Sequence, residues 1–228
     1  MKALLYKEFK LAMHPICYIF IAFFPLMILI PSYPLAIGFI YVLSCYPILF
    51  LGANKGQQSN DLLFSTLLPV RKKDIVLARI ITVIFMQVMF MVIMSCLYPI
   101  AYTLYGNGIL DQETGKIVDV SVGFGLKSYV IVLAIAFIGY ALADLIFFPI
   151  YYKHGKSIVM STLLTILGFV VYLGVATIAV PYIVGIEACN SIPLWIQFIA
   201  LAAAIGLSAL IHLFVYKIGA KCLDKVDF

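Results

Sequence analysis

The stretch from Ile80 to Tyr105 contains apolar and uncharged polar residues without one charged side chain. A helix needs about 20 such residues to cross the hydrocarbon core of a bilayer, so this stretch is long enough to span a membrane. Other stretches of the same kind predict five more spans. We therefore expect six membrane-spanning helices, at about 16–30, 35–51, 80–105, 128–150, 158–186 and 194–216.

The composition excludes an ordinary soluble domain. Of the 228 residues, 65% are hydrophobic and 11% are charged, whereas soluble domains carry about 25% charged residues. The six stretches leave no room for a second folded domain. We expect one all-α transmembrane domain over residues 1–228.

The basic residues predict how this domain is oriented. If the N-terminus lies in the cytoplasm, all of the 15 lysines and arginines except Lys116 and Lys127 fall on inner segments. Cytoplasmic loops carry such an excess of Lys and Arg, so both termini are expected in the cytoplasm. The net charge of +5 is then a topology signal. It does not indicate nucleic-acid binding, because the basic residues are scattered and no aromatic platform accompanies them.

This orientation gives each part of the chain a predicted place. The segments are an interface helix at 1–15, spans one and two within 16–52, a cytoplasmic polar segment at 53–79, span three at 80–105, an extracellular loop at 106–127, span four at 128–150, a cytoplasmic loop at 151–157, span five at 158–186, span six at 194–216 and a cytoplasmic tail at 217–228.

The N-terminal segment predicts an amphipathic helix. Its apolar side chains fill one broad arc of a helical wheel, and Lys7 and Lys10 lie on the opposite arc. This pattern is typical of a helix that lies in the membrane interface. Glu8 falls inside the apolar arc. It either lies at the rim and reaches water, or it meets a cation of a partner protein.

The polar segment at 53–79 predicts a second short helix. Leu63 and Leu67 are four residues apart, as are Phe64 and Leu68, so these side chains share one face. Pro69 ends the helix. Its apolar face suits it to dock on a partner, although a loop that lies on lipid remains an alternative. The candidate docking residues are Asp61, Leu62, Leu63, Phe64, Leu67, Leu68, Arg71 and Lys72.

Asp144 is the only acidic residue inside a predicted span. A carboxylate at that depth costs about 2.5–3.5 kcal/mol on insertion scales, so it should face protein or water. It is either a proton or cation site, or a structural partner for a hydroxyl such as that of Tyr140, one turn away. The three histidines, including His212, show no metal-ligand spacing and are expected as amphipathic residues at the inner interface.

The sequence contains no G-x-x-x-x-G-K-[ST] phosphate loop and no H-E-x-x-H or nucleophile-elbow motif. We therefore expect no enzymatic activity, no metal and no cofactor in this chain. Any ATP hydrolysis must belong to another protein.

Three stretches resemble the membrane subunits of ABC-2 type transporters: MKALLYKEFKLA, NDLLFSTLLPVRKKDIVLARI and FFPIYYKHGKS. They are most similar to the small six-span bacterial permeases that include peptide-toxin and bacteriocin-immunity exporters. The resemblance implies a separate ATPase subunit that binds ATP and Mg, and a coupling helix at residues 61–68 that docks in a groove on it. It implies that Lys2 to His14 is the interface helix, and that a second permease subunit completes a homodimer or heterodimer in the bacterial plasma membrane.

The resemblance leads us to expect ATP-driven export of a hydrophobic or amphipathic substrate, a peptide first, with a lipid or a drug as alternatives. Two other classes of function remain open. One is a secondary transporter or channel that uses Asp144. The other is a membrane immunity or assembly factor that transports nothing. Co-purification of a soluble nucleotide-binding protein in stoichiometric amount would distinguish the ATP-driven exporter from these two classes.

Overall fold

The computed structural model describes residues 2–12, 15–29, 70–105, 109–110, 117–118, 126–154, 158–185, 188–189 and 191–225. The described α-helices are α1 (Lys2–Lys7), α2 (Pro15–Phe23), α3 (Lys72–Tyr105), α4 (Tyr129–His154), α5 (Ile158–Gly174), α6 (Val180–Val184) and α7 (Leu194–Asp224). They are joined by π-helical turns at Glu8–Ala12 and Val175–Ala179, and by 3₁₀ segments at Phe24–Leu29 and Leu126–Ser128. Two short strands, β1 (Ile109–Leu110) and β2 (Ile117–Val118), pair in antiparallel orientation.

Four helical stretches are long and apolar enough to cross a membrane, within the residues the structure describes. They correspond to predicted spans three to six, and they cover Lys72–Leu104, Leu126–Lys153, Val159–Val184 and Leu194–Asp224. A shorter apolar helix, Cys17–Leu26, lies in predicted span one. Predicted span two and the predicted coupling helix at 61–68 lie outside the described residues.

The helix of span three begins before the predicted membrane span itself. The span was expected from about Ile80 and the helix was expected to open near Asp74; α3 starts at Lys72. The backbone N–H of Asp74 donates to the carbonyl of Arg71 at 2.9 Å, and the carboxylate of Asp74 lies in the first turn, where the helix dipole favours negative charge. Arg79 therefore belongs to the helix itself and not to the polar segment before it.

One end of the bundle brings together the start of α3, the end of α4 and the end of α7. Gly219 of α7 lies between Val76 of α3 and Tyr152 of α4: a Cβ at Gly219 would be 3.1 Å from Val76 Cγ1 and 3.3 Å from Tyr152 Cδ2. The missing side chain thus allows α7 to approach both helices closely. We call this end the basic end, because it holds Lys72, Lys73, Arg79, Lys153, Lys217 and Lys221.

The buried core is formed mainly by side chains of α3 and α4, and side chains of α2, α5 and α7 complete it; α4 packs most extensively against α7. Its fully buried aromatic side chains include Phe90 on α3 and Phe147 and Phe148 on α4. In contrast, α7 exposes large apolar side chains such as Trp195 and Phe214. Lipid tails are as apolar as leucine. The exposed apolar surface of α7 is therefore suited to contact with lipid tails and unsuited to contact with water.

Candidate functional site

Glu8 and Arg79 form a buried ion pair at the basic end. Arg79 Nε donates to Glu8 Oε2 at 3.0 Å, and Arg79 Nη2 donates to Glu8 Oε1 at 3.2 Å. The planar guanidinium matches a carboxylate in this two-bond arrangement. Only 4% of Glu8 and 2% of Arg79 is exposed. Removing one partner of such a pair leaves a buried charge uncompensated, so the pair fixes the N-terminal segment against α3.

Two further polar side chains extend this ion pair. Arg79 Nη1 donates to the hydroxyl of Tyr151 at 3.3 Å, and Lys7 Nζ lies 3.5 Å from Glu8 Oε1. Lys7 and Tyr151 are themselves buried. We call these four residues the basic-end cluster. It joins the N-terminal segment to both α3 and α4.

Apolar packing of α1 brings Glu8 to this position. Leu4 packs with Ile75 and Ala78 of α3 in a small buried cluster, so the apolar arc of α1 faces α3. The chain then continues through the π-helical turn Glu8–Ala12, which winds more widely than an α-helix. Glu8 lies in the same arc as Leu4 and is therefore buried against α3, where Arg79 meets it.

The structure corrects two expectations for the N-terminal segment. Glu8 does not lie at the rim in water, and the cation that it meets belongs to the same chain. Lys7, expected on the polar arc, is 8% exposed and lies beside Glu8. Lys10 is exposed as expected; its ammonium donates to the hydroxyl of Tyr6 at 2.6 Å.

A second polar cluster lies inside the bundle around Asp144, which is 0% exposed. Its Oδ2 accepts a hydrogen bond from Gln87 Nε2 on α3 at 3.1 Å. The same oxygen lies 2.9 Å from Nε2 of His212 on α7. Three long helices therefore meet at one carboxyl oxygen. We call Gln87, Asp144, Ser208 and His212 the core polar cluster.

His212 is held on its other side by its own helix. Its Nδ1 lies 2.7 Å from the backbone carbonyl oxygen of Ser208 and 3.4 Å from the Ser208 hydroxyl. The sequence predicted this histidine as an amphipathic residue at the inner interface; in the structure its side chain is 11% exposed and contacts Asp144 inside the bundle. The carboxylate thus has an amide and an imidazole among its partners, two groups that the sequence did not indicate.

The predicted ATPase-docking residues fall into two groups. Asp61, Leu62, Leu63, Phe64, Leu67 and Leu68 lie outside the described residues, so their docking role stays a prediction. Arg71 is exposed. Lys72 Nζ donates to the carbonyl of Leu223 at 3.5 Å. That carbonyl lies at the end of α7, where the helix dipole favours a cation, so Lys72 has a partner within the chain.

Hydrogen bonds from hydroxyls to backbone carbonyls hold the opposite end of the bundle. Tyr98 donates to the carbonyl of Leu126 at 2.9 Å, and Ser128 donates to the carbonyl of Cys189 at 2.7 Å. Cys189 is 2% exposed. Burial raises the pKa of the Cys189 thiol above its ordinary value, because a thiolate is poorly solvated there.

Sequence reasoning missed the roles of Arg79, Tyr151, Gln87 and His212. Arg79 was counted only as a cytoplasmic charge, and Gln87 as an uncharged residue of a span. One signal was present for each cluster: a lone acid within an apolar pattern, Glu8 in the first and Asp144 in the second. Each such acid requires a polar partner. Nothing local in the sequence names that partner.

Within the described residues, no group of three or more His, Cys, Asp or Glu side chains is placed to hold a metal ion. The two polar clusters join different helices through hydrogen bonds and ion pairs. They lie at the basic end and in the core of a bundle of long apolar helices, which is the architecture of a membrane-embedded protein.

Residues 3–217 match the model of a family described as ABC-2 family transporter protein. The chain belongs to this family. It is therefore a membrane-embedded transport subunit, the permease of an ABC transporter, a class that associates with an ABC ATPase partner. No curated protein and no solved structure matches the sequence significantly.

Proposed function

We propose that this chain is the permease subunit of an ATP-driven exporter in a bacterial plasma membrane. ATP and Mg bind to a separate ATPase subunit, and the helix at residues 61–68 docks on that subunit. Membership of the ABC-2 family supports the permease role. The observation that supports the mechanism is the buried contact of Glu8 with Arg79, since it ties the interface helix to the first turns of α3.

The coupling helix and the basic-end cluster are close along the chain. The proposed coupling helix ends before Pro69, and α3 begins at Lys72. Arg79 follows about 10 Å further along the axis of α3, at 1.5 Å per residue. Movement of residues 61–68 by the ATPase therefore acts directly on the turns of α3 that hold Glu8.

The start of α3 also contacts the two other long helices at the basic end. Arg79 donates to Tyr151 near the end of α4. Lys72 donates to Leu223, and Val76 packs against Gly219, both on the last turns of α7. Close-packed interiors transmit displacement because they hold few voids. A displacement of the start of α3 therefore displaces the adjoining ends of α4 and α7 and the interface helix.

We further propose that the basic end faces the cytoplasm, as the distribution of lysine and arginine predicts. Two permease subunits form the pathway, because six helices enclose too little space for one. The substrate is a hydrophobic or amphipathic molecule, a peptide in the first instance. The exposed apolar faces of α5 and α7 support this choice, since they offer contact to hydrocarbon and to apolar cargo.

The test is a pair of double substitutions in the complex with its co-purified ATPase, reconstituted in lipid vesicles. We expect Phe64→Ala with Leu67→Ala to lower ATP-driven export at least about tenfold, because each buried side chain is worth about 1.5–3 kcal/mol of docking. Membrane insertion should be unchanged. The matched control is Ile100→Ala with Leu104→Ala at the end of α3 away from the basic end, where the two residues are 51% and 57% exposed; it should keep export. Normal export by the first variant contradicts the proposal.

A further inference from the structure

We propose that Asp144 and His212 form a proton-binding site inside the bundle. One proton is shared between the carboxylate and the imidazole, and the contact between α4 and α7 depends on it. Asp144 is fully buried and the side chain of His212 is 11% exposed. The two residues lie on different helices, and Asp144 Oδ2 is 2.9 Å from His212 Nε2. This inference goes beyond the proposed function and does not depend on an ATPase partner.

The backbone of α7 determines which ring nitrogen of His212 carries a hydrogen. Nδ1 lies 2.7 Å from the carbonyl oxygen of Ser208. A carbonyl oxygen only accepts hydrogen bonds, so Nδ1 must be the donor and must be protonated. The other nitrogen, Nε2, faces Asp144. Its hydrogen is the one whose presence depends on the carboxylate.

Two arrangements of the pair satisfy the contacts of His212 with Ser208 and Asp144 and of Asp144 with Gln87, and in both the Asp144–His212 pair is neutral overall. In one, Asp144 is a carboxylic acid whose Oδ2–H donates to Nε2 of a neutral ring. In the other, Nε2–H of an imidazolium donates to a carboxylate. Gln87 donates to the same oxygen in both cases, because a hydroxyl oxygen and a carboxylate oxygen both accept. The two arrangements differ only in the position of one proton.

Removing that proton breaks the contact. The carboxylate of Asp144 then faces the lone pair of Nε2, and the two repel each other. The ring can turn an N–H toward Asp144 only by moving its hydrogen from Nδ1, which gives up the bond to Ser208. Adding a second proton also weakens the site, because an imidazolium beside a neutral acid leaves a net positive charge at membrane depth. The state with one proton is thus the one that holds α4 and α7 together.

Other ionisable groups on the packed helices do not substitute for this pair near neutral pH. They are Lys72, Lys73, Asp74, Arg79, Cys96, Tyr98, Tyr102 and Tyr105 on α3, Tyr129, Tyr140, Tyr151, Tyr152, Lys153 and His154 on α4, Tyr172 on α5, and Tyr216, Lys217, Lys221, Cys222 and Asp224 on α7. Asp74, His154 and Asp224 lie in the terminal turns at the basic end. Arg79 is bound to Glu8 at the basic end. Tyrosine and cysteine side chains are ordinarily neutral at pH 7, and arginine and lysine are ordinarily charged. The proton balance of the core polar cluster therefore depends on the carboxyl and imidazole groups.

Through this site, pH affects the position of α7 relative to α4. His212 lies about 18 Å along α7 from the helix end at Asp224, well inside the bundle. Any movement that separates α7 from α4 requires the shared proton to settle on one group or to leave. A change in pH therefore shifts the balance between the joined and the separated arrangement of these helices.

Nitrogen NMR of the histidine ring tests the proposal in the full chain, reconstituted in lipid vesicles with ¹⁵N-labelled histidine and no nucleotide. The chain has three histidines, so His14→Gln with His154→Gln leaves only the signal of His212. We expect Nδ1 to be protonated from about pH 5 to 9 and Nε2 to titrate in two steps, because two interacting groups share the protons. If Nε2 of His212 titrates in a single step in the chain that keeps Asp144, the proposal is overturned.

Two variants at the site complete the experiment. Asp144→Asn keeps the shape of the side chain and offers an N–H to Nε2, so His212 should titrate in one step with a midpoint at least about one pH unit lower. Gln87→Leu removes only a positioning donor, and it should move the midpoints while both steps remain. An unchanged titration of His212 in Asp144→Asn contradicts the proposal.

Discussion

Glu8 and Arg79 are 71 positions apart in the chain, and two hydrogen bonds at 3.0 and 3.2 Å join them. The contact lies beside the buried packing of Leu4 against Ile75 and Ala78. The N-terminal segment was expected to lie on the membrane surface, and in the structure these contacts hold it against other helices of the chain. It is part of the helical bundle, attached to the first turns of the helix that follows the predicted coupling segment.

Replacing Glu8 by glutamine should destabilise the folded chain. The substitution keeps the size of the side chain but removes the charge that pairs with Arg79. Breaking a buried ion pair by removing one partner costs about 3–5 kcal/mol. The measurement is the free energy of unfolding of the chain in lipid–detergent mixtures. Lys10→Gln, at an exposed position, is the control and should stay within about 0.5 kcal/mol of the unsubstituted chain. Equal stability of the Glu8→Gln chain would contradict a buried pair.

Two glycines of α7 should respond in opposite ways to alanine. A Cβ at Gly219 would lie 3.1 Å from Val76, whereas a Cβ at Gly206 meets nothing within 4 Å. We expect Gly219→Ala to destabilise the fold by about 1–3 kcal/mol through overpacking. Gly206→Ala should be neutral or stabilising by up to about 1 kcal/mol, because alanine favours the helix. Thermal unfolding of both variants measures the difference. Equal loss of stability in both would refute the close approach at Gly219.

Cys189 should react slowly with a maleimide in the folded chain. Its thiol is buried, and burial raises its pKa, so at any pH near 8 less thiolate is present than in the unfolded chain. The rate of the maleimide reaction should begin to rise at a higher pH in the folded chain than in the unfolded chain. At pH 8 the rate in the folded chain should be at least about tenfold lower. Single-cysteine chains allow the measurement, and Cys222, which is partly exposed, is the control. A rate for Cys189 equal to that of the unfolded chain would contradict its burial.

Labelling of Cys222 also tests the orientation of the bundle in the membrane. Cys222 lies near the end of α7 at the basic end. If that end faces the cytoplasm, a membrane-impermeant maleimide should label Cys222 in inside-out vesicles and not in intact cells. The reverse pattern would place the basic end outside, against the positive-inside distribution.

The sequence predicts features that depend on neighbouring residues of the chain better than contacts between residues that are distant in the chain. The four long apolar helices were predictable, because the length and apolar character of Ile80 to Tyr105 and its counterparts are read directly from the chain. The place of Asp74 in the first turn of α3 was also predictable, because a carboxylate is favoured at the positive end of a helix. The burial of Arg79 was not, because its partner Glu8 is distant in the sequence. The outcome for 61–68 lies outside the described residues, so it stays a prediction.

The contacts of the two polar clusters needed the packed structure. Glu8 and Asp144 each signalled that a partner must exist, because a buried charge is rarely left alone. Which partner each of them has depends on the rotation of a distant helix about its own axis. His212 faces Asp144 because Ser208 and the packing of α7 set that rotation, and no spacing within the chain encodes it.

We propose that the interface helix and the start of α3 move as one unit. It is tested most directly by pulsed electron paramagnetic resonance on spin labels at Lys10→Cys and Lys73→Cys, two exposed positions, in a chain whose five native cysteines are replaced. In the complex with its ATPase, we expect the mean distance between the labels to be the same without nucleotide and with ATP. The distribution of distances should broaden when Glu8→Gln is added. A distance that changes with ATP while Glu8 and Arg79 are both present would contradict the claim.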